Sequence, residues 1–367
     1  MTRHLALSAL VHGSGGHLAG WRHPDAYAAG QLDFAFHAEL ARLLERGRFD
    51  AFFVADVIAV DGPPSRAERF EPLSLLAGLS TVTTHIGLVG TAGTTYHEPF
   101  HIARKFASLD HLSHGRAGWH AITATLPGEA ANFAATGHPD AGDEFVDLVR
   151  QLWDSFSDKA VIRDVAGARY YDPAQLRTPE HRGEHFRVRG PLNISRPPQG
   201  HPVLFVTSTE LPFAARHGEV FFSDQPDAGN TADIKARVAA AGRDPGQVRV
   251  WPVLSPLVAD TETAARRKLA ELDDLLHDDA AHRPAERFSG GPIVAGTPEQ
   301  IADRMQRWFT EGAADGFTVS FPYFPGPAIE FVQQVVPILR RRGLVPDGYH
   351  GTTLRENLGL ARPEVSR

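Results

Sequence analysis

Short apolar runs alternate with stretches of helical periodicity along most of the chain. After the apolar run Leu5–Val11, the stretch Gln31–Arg46 repeats apolar residues every three or four positions, the spacing of one helix face. Such alternation predicts βαβ units and a parallel sheet, because each parallel strand needs a crossover to the next. The predicted strands are Leu5–Val11, Phe49–Ala55, Ile86–Gly90, Arg116–Thr123, Pro202–Val206, Val220–Ser223, Val248–Val258 and Gly316–Ser320.

The predicted helices follow the strands and complete the alternation. Gly47 stands directly after the first of them, where a glycine commonly ends a helix. The predicted helices are Gln31–Arg46, Glu71–Val82, Phe100–Leu112, Asp143–Phe156, Pro212–His217, Asn230–Ala241, Glu262–Leu276, Pro298–Gly312 and Ala328–Arg341. Eight strands with intervening helices are what a closed (β/α)₈ TIM barrel requires, so the sequence predicts this α/β fold.

Three segments interrupt or follow the alternation. Residues 157–200 are rich in Arg, His, Pro and Gly without a long periodic pattern, which indicates an insertion with a short hairpin around Glu184–Val188. A loop at about 276–296 and a polar C-terminal tail from about 343 are also predicted. The whole chain, 1–367, is expected to form one barrel domain with these additions.

Composition narrows the class of protein. Of the 367 residues, 42% are hydrophobic and 22% charged, and the formal net charge is −7. The charges form no basic stripe, which argues against nucleic-acid binding. The chain has no cysteine, which excludes disulfides, thiolate metal sites and cysteine nucleophiles. The first apolar run is too short for a signal peptide or a membrane span, so a cytoplasmic enzyme is expected.

Two kinds of chemistry find no motif. The chain contains 19 histidines, but it has no His-Glu-x-x-His run and no predicted helix with paired ligands at metal spacing. No metal site is therefore predicted. The glycine-rich loop Gly13–Gly16 lacks the spacing and the lysine of a P-loop, and no Gly-x-Ser-x-Gly elbow supports a hydrolase.

Polar residues gather where the predicted strands end. In a TIM barrel the active site lies at the carboxyl ends of the strands, and this rule selects residues without reference to a family. They are His12 and His17 after the first strand, Asp56 after the second, Thr91–His97 after the third, His120–Thr125 at the end of the fourth and Thr207–Thr209 after the fifth. The sequence therefore predicts a polar ligand pocket, with His17 and His120 as candidate catalytic residues.

Each candidate also has a purely structural interpretation. Asp56 could cap a turn, His120 could be a hydrogen-bonded core histidine, and His17 could be a solvated loop residue. A ligand-facing role is favoured for Asp56, since a buried carboxylate needs a partner. It is also favoured for His120, since polar side chains at the mouth of a barrel strand usually line the pocket.

Many short motifs occur in the order found in one family of flavin enzymes. They are Trp21–Pro24, Arg48–Asp56, Glu71–Leu73, Thr94–Pro99, Ala103–Ser113, Gly115–His120, Asn132–Phe133, Leu152–Ser155, Gly190–Asn193, Pro197–Gly200, Gly296–Glu299, Arg341–Leu344 and Thr353–Glu356. From about Trp21 to Pro363 the chain resembles the bacterial luciferase-like flavin-dependent monooxygenases. The resemblance is closest to the subgroup of nitrilotriacetate, dibenzothiophene sulfone and long-chain alkane monooxygenases.

The resemblance implies a barrel that takes reduced FMN (FMNH₂) as a co-substrate from a separate NAD(P)H:flavin reductase. Oxygen (O₂) would add to the flavin, and the resulting peroxyflavin would attack a small organic substrate. The residues that would border the flavin ring are Asp56, Thr94, Thr95, Tyr96, Ala121, Ile122 and Thr123. Ser208 would contribute to the site of the FMN phosphate. Family members usually form homodimers or homotetramers, which is the expected state here.

Two elements depart from the family pattern. The fourth strand ends in His120-Ala121-Ile122-Thr123-Ala124, where the family usually has Asn-Val-(Val/Ile)-Thr-Ser, and an Arg-Tyr pair before the next helix is absent. The loop after the fifth strand is shortened to Val206–Pro212, in which Glu210 adds a negative charge near the phosphate end. Two alternatives stay open: a deazaflavin-dependent oxidoreductase on the same scaffold, and a non-catalytic flavin-binding member.

Overall fold

Eight parallel strands close into a barrel in the computed structural model, which describes residues 4–13, 15–60, 67–123, 128–133, 137–276 and 291–365. The strands are β1 Ala6–Val11, β2 Ala51–Val54, β3 Gly87–Gly93, β4 Ala117–Ile122, β5 Val161–Asp164, β6 Arg169–Tyr171, β7 His181–Arg182, β8 Arg187–Val188, β9 Val203–Thr207, β10 Val220–Ser223, β11 Arg249–Val258, β12 Ile293–Gly296 and β13 Gly316–Val319. The barrel order is β1-β2-β3-β4-β9-β10-β11-β13, and β13 pairs with β1 to close the ring. The predicted TIM barrel is confirmed, with each of its eight strands at the predicted place.

Helices cover the outside of this barrel. They are α1 Phe34–Arg46, α2 Pro72–Ser80, α3 Pro99–Leu112, α4 Gly142–Trp153, α5 Leu211–His217, α6 Ala228–Ala240, α7 Glu262–Asp274, α8 Pro298–Thr310, α9 Gly326–Glu330, α10 Val336–Arg341 and α11 Leu354–Asn357. Side-chain caps start several of them, as when Asp33 accepts hydrogen bonds from the N–H groups of Ala35 and Phe36 at α1. A π-helical turn joins α9 to α10, so the predicted helix Ala328–Arg341 is one element with an extra residue in its ladder.

The interior of the barrel is packed with aromatic rings. Phe53 and Phe222 stack at 4.6 Å between ring centroids, and Phe205 contacts both Phe222 and Trp251. These rings come from β2, β9, β10 and β11, and they fill the space that inward-pointing side chains occupy in a closed barrel. The barrel is thus a solid core, and a ligand can enter only at its ends.

The C-terminal segment contributes to this core. Leu354, Leu358 and Leu360 are buried and belong to the same hydrophobic cluster as the barrel interior. The sequence pattern predicted only a polar tail here, because three leucines separated by polar residues show no long periodicity. In the structure they cover the amino-terminal end of the barrel, where such contacts stabilise the fold.

The insertion forms two small hairpins, β5–β6 and β7–β8, and the second is the predicted one. Glu144, in the first turn of α4, accepts hydrogen bonds from Nε2 of His181 and from the N–H groups of His185 and Phe186. Burial raises the pKa of the Glu144 carboxyl, but these hydrogen bonds outweigh it and lower the pKa to about 2. The insertion is therefore tied to the barrel helix that follows β4.

The sequence prediction missed one strand. The strand β12 pairs with the outer half of β11, from Ser255 to Val258, and was not predicted because it has only four residues beside a loop. Most of the predicted 276–296 loop lies outside the described residues. The glycine-rich loop serves packing: a Cβ on Gly15 would lie 2.4 Å from the backbone of Tyr323, at a φ of +132° that favours glycine.

Candidate active site

A narrow cleft opens at the carboxyl ends of β2, β3 and β4. Its lining residues are Asp56, Ile58, Thr91, Ala92, Gly93, Thr95, Tyr96, His97, Ile122 and Glu129. The strand ends meet here because neighbouring parallel strands point the same way, which is why residues distant in sequence share one cleft. The cleft combines apolar walls with a few carboxyl, hydroxyl and imidazole groups, the usual composition of a small-molecule site.

Two carboxyl groups share this cleft. Asp56 follows β2 and is half-buried, while Glu129 is 5% exposed and accepts a hydrogen bond of 3.2 Å from the N–H of Ile58. Burial raises the pKa of Asp56, and the neighbouring carboxylates of Glu71 and Glu129 raise it further. A carboxyl held in its protonated form more easily than usual can donate a hydrogen bond to a polar ligand edge.

A histidine lies directly beneath the cleft, and a threonine orients it. Oγ1 of Thr91 is 3.3 Å from the carbonyl oxygen of Val54 and 2.9 Å from Nδ1 of His120. If the Thr91 hydroxyl donates to that carbonyl, its oxygen must accept a hydrogen bond from Nδ1–H of His120. The lone pair of His120 then lies on Nε2, for which no group in the described part of the chain is a hydrogen-bond partner.

The surroundings of His120 keep it neutral. Its ring packs edge-on against Phe53 at 5.0 Å and Phe222 at 5.4 Å, and the side chain is 7% exposed. Burial lowers the pKa of His120 to about 3, since an imidazolium would have no counter-charge among these rings. At neutral pH, His120 is therefore a neutral, buried imidazole bonded to Thr91, which lines the cleft.

The edge of the cleft beside β4 carries a row of hydroxyl groups. Oγ1 of Thr94 donates to the carbonyl of Ile122 at 3.4 Å, and Oγ1 of Thr95 donates to that of Thr123 at 3.0 Å. The N–H and hydroxyl of Thr123 both donate to one carboxylate oxygen of Glu210, at 3.1 and 2.6 Å. The carboxylate of Glu210, the negative charge that departs from the family pattern, thus accepts hydrogen bonds at the end of β4.

Comparison with known proteins decides the family. The luciferase-like monooxygenase family description matches residues 14–315. The chain belongs to the luciferase-like monooxygenase family. It is 44% identical to one of the subunits of pristinamycin IIA synthase from Streptomyces pristinaespiralis, over 98% of this chain and 97% of that protein. It is 37% identical to component A of nitrilotriacetate monooxygenase from Aminobacter aminovorans, over 99% and 98% of the two chains.

A solved structure agrees with these sequence relatives. The crystal structure of a riboflavin lyase with modified FMN and its substrate riboflavin has a TM-score of 0.89 and 29% identity, covering 97% of this chain and 96% of that one. The predicted family and enzyme class are confirmed, and this protein is a flavin-dependent monooxygenase. The alignment with the synthase protein extends over 429 residues, whereas this chain has 367, so that relative carries segments absent here.

Most of the predicted cofactor-binding residues of this monooxygenase lie in the cleft or beside it. Asp56, Thr95, Tyr96 and Ile122 line the cleft, and Thr94 and Thr123 adjoin it through the hydrogen bonds described above. Ser208 begins a 3₁₀ turn directly after β9 and is half-buried. The side chain of Ala121 packs in the core between barrel and helices, so only its backbone can face a ligand.

His17 lies outside the lining of this cleft. It is 2% exposed rather than solvated, its Nδ1 accepts a hydrogen bond of 3.2 Å from the N–H of Ala19, and its Nε2 lies 3.4 Å from a carboxylate oxygen of Asp273 on α7. These contacts fix the ring beside the end of β13, because the backbone N–H of His17 also bonds to the carbonyl of Pro322. The structure does not bring His17 and His120 into contact.

One acidic residue of the cleft was not predicted from the sequence. Glu129 lies in an aperiodic stretch between β4 and α4, where no pattern assigns a side chain to any face. Asn132, which belongs to a family motif three residues later, donates to the carbonyl of Ile58 at 2.8 Å. That motif was the only signal that this stretch folds back over β2.

The chemistry of these residues suits a flavin. Ile58, Ala92 and Ile122 offer apolar contact to a flat ring, while Asp56 and Thr95 offer polar groups to its edge. At the other end, Thr123 lies against Gly142 at the start of α4, a first turn that no described side chain caps, and Ser208 follows β9. Uncapped N–H groups and hydroxyls suit a phosphate, and the carboxylate of Glu210 competes for them.

Two other kinds of feature do not occur in the described ranges. None of the helices there is long and apolar enough to cross a membrane. No group of three or more His, Asp or Glu side chains within those ranges is arranged to hold a metal ion.

Proposed function

We propose that this monooxygenase is the oxygenase component of a two-component system. It would take reduced FMN from a separate NAD(P)H:flavin reductase and use O₂ to oxidise a small organic substrate. The observation that carries the proposal is the cleft at the ends of β2, β3 and β4, behind whose lining residue Thr91 lies the neutral His120. One relative is named as part of a multi-subunit synthase and another as component A of a monooxygenase, which supports a division of labour with a second protein.

Reduced FMN, when bound, would supply the electrons that activate O₂. The protein must hold the ring, keep water away and manage protons. Asp56 and Thr95 would hydrogen-bond the polar edge of the ring, and Thr123 and Ser208 would hold the phosphate. Tyr96, stacked on Phe133 at 4.7 Å, forms an aromatic wall that shields the cleft from solvent.

His120 and His17 would serve in different ways. Nε2 of His120 is a buried acceptor beside Thr91, and we propose that it receives a hydrogen bond from a group that enters the cleft. His17 is bonded to Asp273, and we propose that it acts at the opposite rim, beside the end of β13. For His120 and His17 both to contact one bound substrate, that substrate must extend across the mouth of the barrel.

Oxygen consumption tests this function. With reduced FMN supplied chemically, we expect added substrate to change the product from hydrogen peroxide to an oxidised organic compound. Labelled ¹⁸O₂ should place one oxygen atom in that compound or in a fragment cleaved from it. A reaction that proceeds only with a reduced deazaflavin would contradict the proposal and favour the deazaflavin alternative. Flavin binding without any turnover across a broad substrate panel would favour the non-catalytic alternative.

Glu210 is expected to weaken FMN binding. We predict that Glu210→Gln binds reduced FMN about tenfold more tightly, because a carboxylate beside a phosphate site repels the ligand and competes for Thr123. Binding of reduced riboflavin, which has no phosphate, should not change. Asp224→Asn is the matched control, since Asp224 is an exposed carboxylate after β10. Equal effects of Glu210→Gln on both flavins would show that Glu210 acts on the barrel and not on the phosphate.

We also propose that the protein works in the cytoplasm as a homodimer or homotetramer. The absence of cysteine suits a reducing compartment. A groove between α2 and α3 presents Leu73, Ala77 and Leu109, and Leu112 at its end is 56% exposed, which suits burial against a second copy. Sedimentation of the purified protein measures this state directly.

A further inference from the structure

A second cavity lies at the side of the barrel and shares no lining residue with the flavin cleft. Its volume is about 260 Å³, and it is enclosed by α4, the first residues of β9 and the C-terminal segment. Its lining residues are Trp119, Val146, Arg150, Trp153, His201, Pro202, Leu204, Glu219, Arg243, Arg355 and Pro363. We call it the basic cavity, because three arginines face one carboxylate there.

The single carboxylate of this cavity is already engaged. Glu219 accepts two hydrogen bonds from the guanidinium of Arg355, at 2.5 and 3.0 Å, and a third from the N–H of Leu204. The imidazole of His201, the fourth basic side chain, bonds to Asp154 behind the cavity wall. Glu219 and Arg355 therefore neutralise each other, and they leave two arginines to be balanced.

The positive charges of Arg150 and Arg243 are poorly neutralised by nearby carboxylates. The ion pair of Arg150 is with Asp147, at 3.9 Å, and Asp147 is 59% exposed. The other contacts of its guanidinium are with an uncharged residue, Nδ1 and the carbonyl oxygen of His217, at 3.1 and 2.9 Å. Arg243 forms no ion pair with any residue in the described ranges, and its guanidinium donates one hydrogen bond, to the carbonyl of Ala215. Burial lowers the pKa of both arginines. A neighbouring positive charge lowers it further in each case, that of Arg355 for Arg150 and that of Arg150 for Arg243. Partly buried like charges are costly unless an anion joins them.

The lining offers both donors and an apolar surface. Nε of Arg355 is buried, and within the described chain it has no hydrogen-bond partner. The lining also includes Trp153, Val146 and Pro202, which suit an organic group better than bulk water. A guanidinium fork matches the oxygens of a phosphate, with two short charge-assisted hydrogen bonds from one side chain.

We propose that the basic cavity binds a phosphate group, either as inorganic phosphate or as the phosphomonoester of a small organic molecule. Arg150 and Arg243 would neutralise its two charges, and the tryptophan side would take the organic part of an ester. This site is separate from the flavin cleft, so the proposal does not depend on the function proposed above.

Calorimetric titration of the flavin-free protein tests this proposal. Inorganic phosphate, titrated at constant ionic strength against chloride, should bind with one saturable site per chain in the basic cavity. Arg243→Gln should weaken that binding at least tenfold, and its single lost backbone hydrogen bond should leave the fold intact. Phenyl phosphate that binds more tightly than inorganic phosphate identifies a phosphomonoester site, and equal binding identifies a phosphate site.

Three controls locate the site. Arg266→Gln, which removes an exposed arginine on α7, should bind phosphate as the unmodified protein does. Glu210→Gln should tighten phosphate binding only at the flavin cleft, so unchanged binding in this variant assigns the measured site to the basic cavity. Oxygen consumption with reduced FMN should be unchanged in Arg243→Gln. Phosphate binding that survives Arg243→Gln unweakened, or phosphate that binds no better than chloride, would overturn the proposal.

Discussion

Replacing Arg116 by methionine is expected to lower the free energy of unfolding by about 3–5 kcal/mol, the range for breaking a buried charged network. Arg116 is 2% exposed and precedes β4. Its guanidinium donates to the carbonyls of Ser113, Ile86, Ser80 and Thr83, and to the hydroxyl of Thr83. Methionine fills similar space but leaves these acceptors buried without a donor.

The network explains how one residue affects the whole barrel. Its acceptors lie at the end of α2, before β3 and after α3, so Arg116 fixes the amino-terminal ends of two neighbouring barrel strands. Burial lowers the pKa of Arg116, but the guanidinium remains charged because its intrinsic pKa is so high.

Chemical denaturation at equilibrium measures this effect. Arg116→Lys keeps the charge, but its ammonium group cannot reach most of these acceptors. We therefore expect its free energy of unfolding to fall by more than half as much as that of Arg116→Met. Arg267→Met is the matched surface control, because Arg267 is 75% exposed and pairs with Glu271 at 3.5 Å. It should change stability by less than about 0.5 kcal/mol. An Arg116→Met protein as stable as this control would refute the network.

His120→Ala is expected to lower turnover by about 10²- to 10³-fold, the range for removing one preorganised hydrogen-bonding group of an active site. The substitution removes the lone pair on Nε2, a buried acceptor in the ring that Thr91 orients. We expect the free energy of unfolding to fall by only about 1 kcal/mol, since a small cavity forms but a buried polar atom without a partner is also removed.

Two comparisons separate catalysis from structure at this residue. Thr91→Val removes the hydroxyl that selects the tautomer of His120, so turnover should fall about tenfold while substrate KM stays nearly constant. Because the pKa of His120 is lowered to about 3, its protonation should not appear in the pH profile of turnover above pH 5. A His120→Ala protein that unfolds readily while its folded fraction keeps full turnover would identify a structural histidine.

The barrel was predictable because its signal is local. Each apolar run such as Phe49–Ala55 is buried on both faces, so it stands out from the polar turns around it even without a partner in sequence. The predicted ends of the strands were less accurate. β2 covers only Ala51–Val54, because the boundaries of a strand depend on the neighbouring residues that pair with it. The strand β12 was missed for the same reason.

The site was predictable only as far as strand ends define it. Asp56 and Ile122 lie where the chain leaves a strand, and the fold alone places them in the cleft. Glu129 and the bond between Glu210 and Thr123 depend on how loops fold back, over 87 residues in the second case, and no sequence spacing encodes that. The same strand-end rule does not say which side of the mouth a loop residue faces, and the structure places His17 beside the end of β13.

The central claim is that the cleft holds reduced FMN, and anaerobic titration of the purified protein measures this most directly. Fluorescence or absorbance of reduced FMN should report saturable binding, tighter than that of oxidised FMN or of the deazaflavin cofactor. Asp56→Ala should weaken the binding, whereas Arg243→Gln should not, since only Asp56 lines the cleft. Failure to bind either form of FMN, with binding of the deazaflavin instead, would contradict the account of the site and leave the barrel intact.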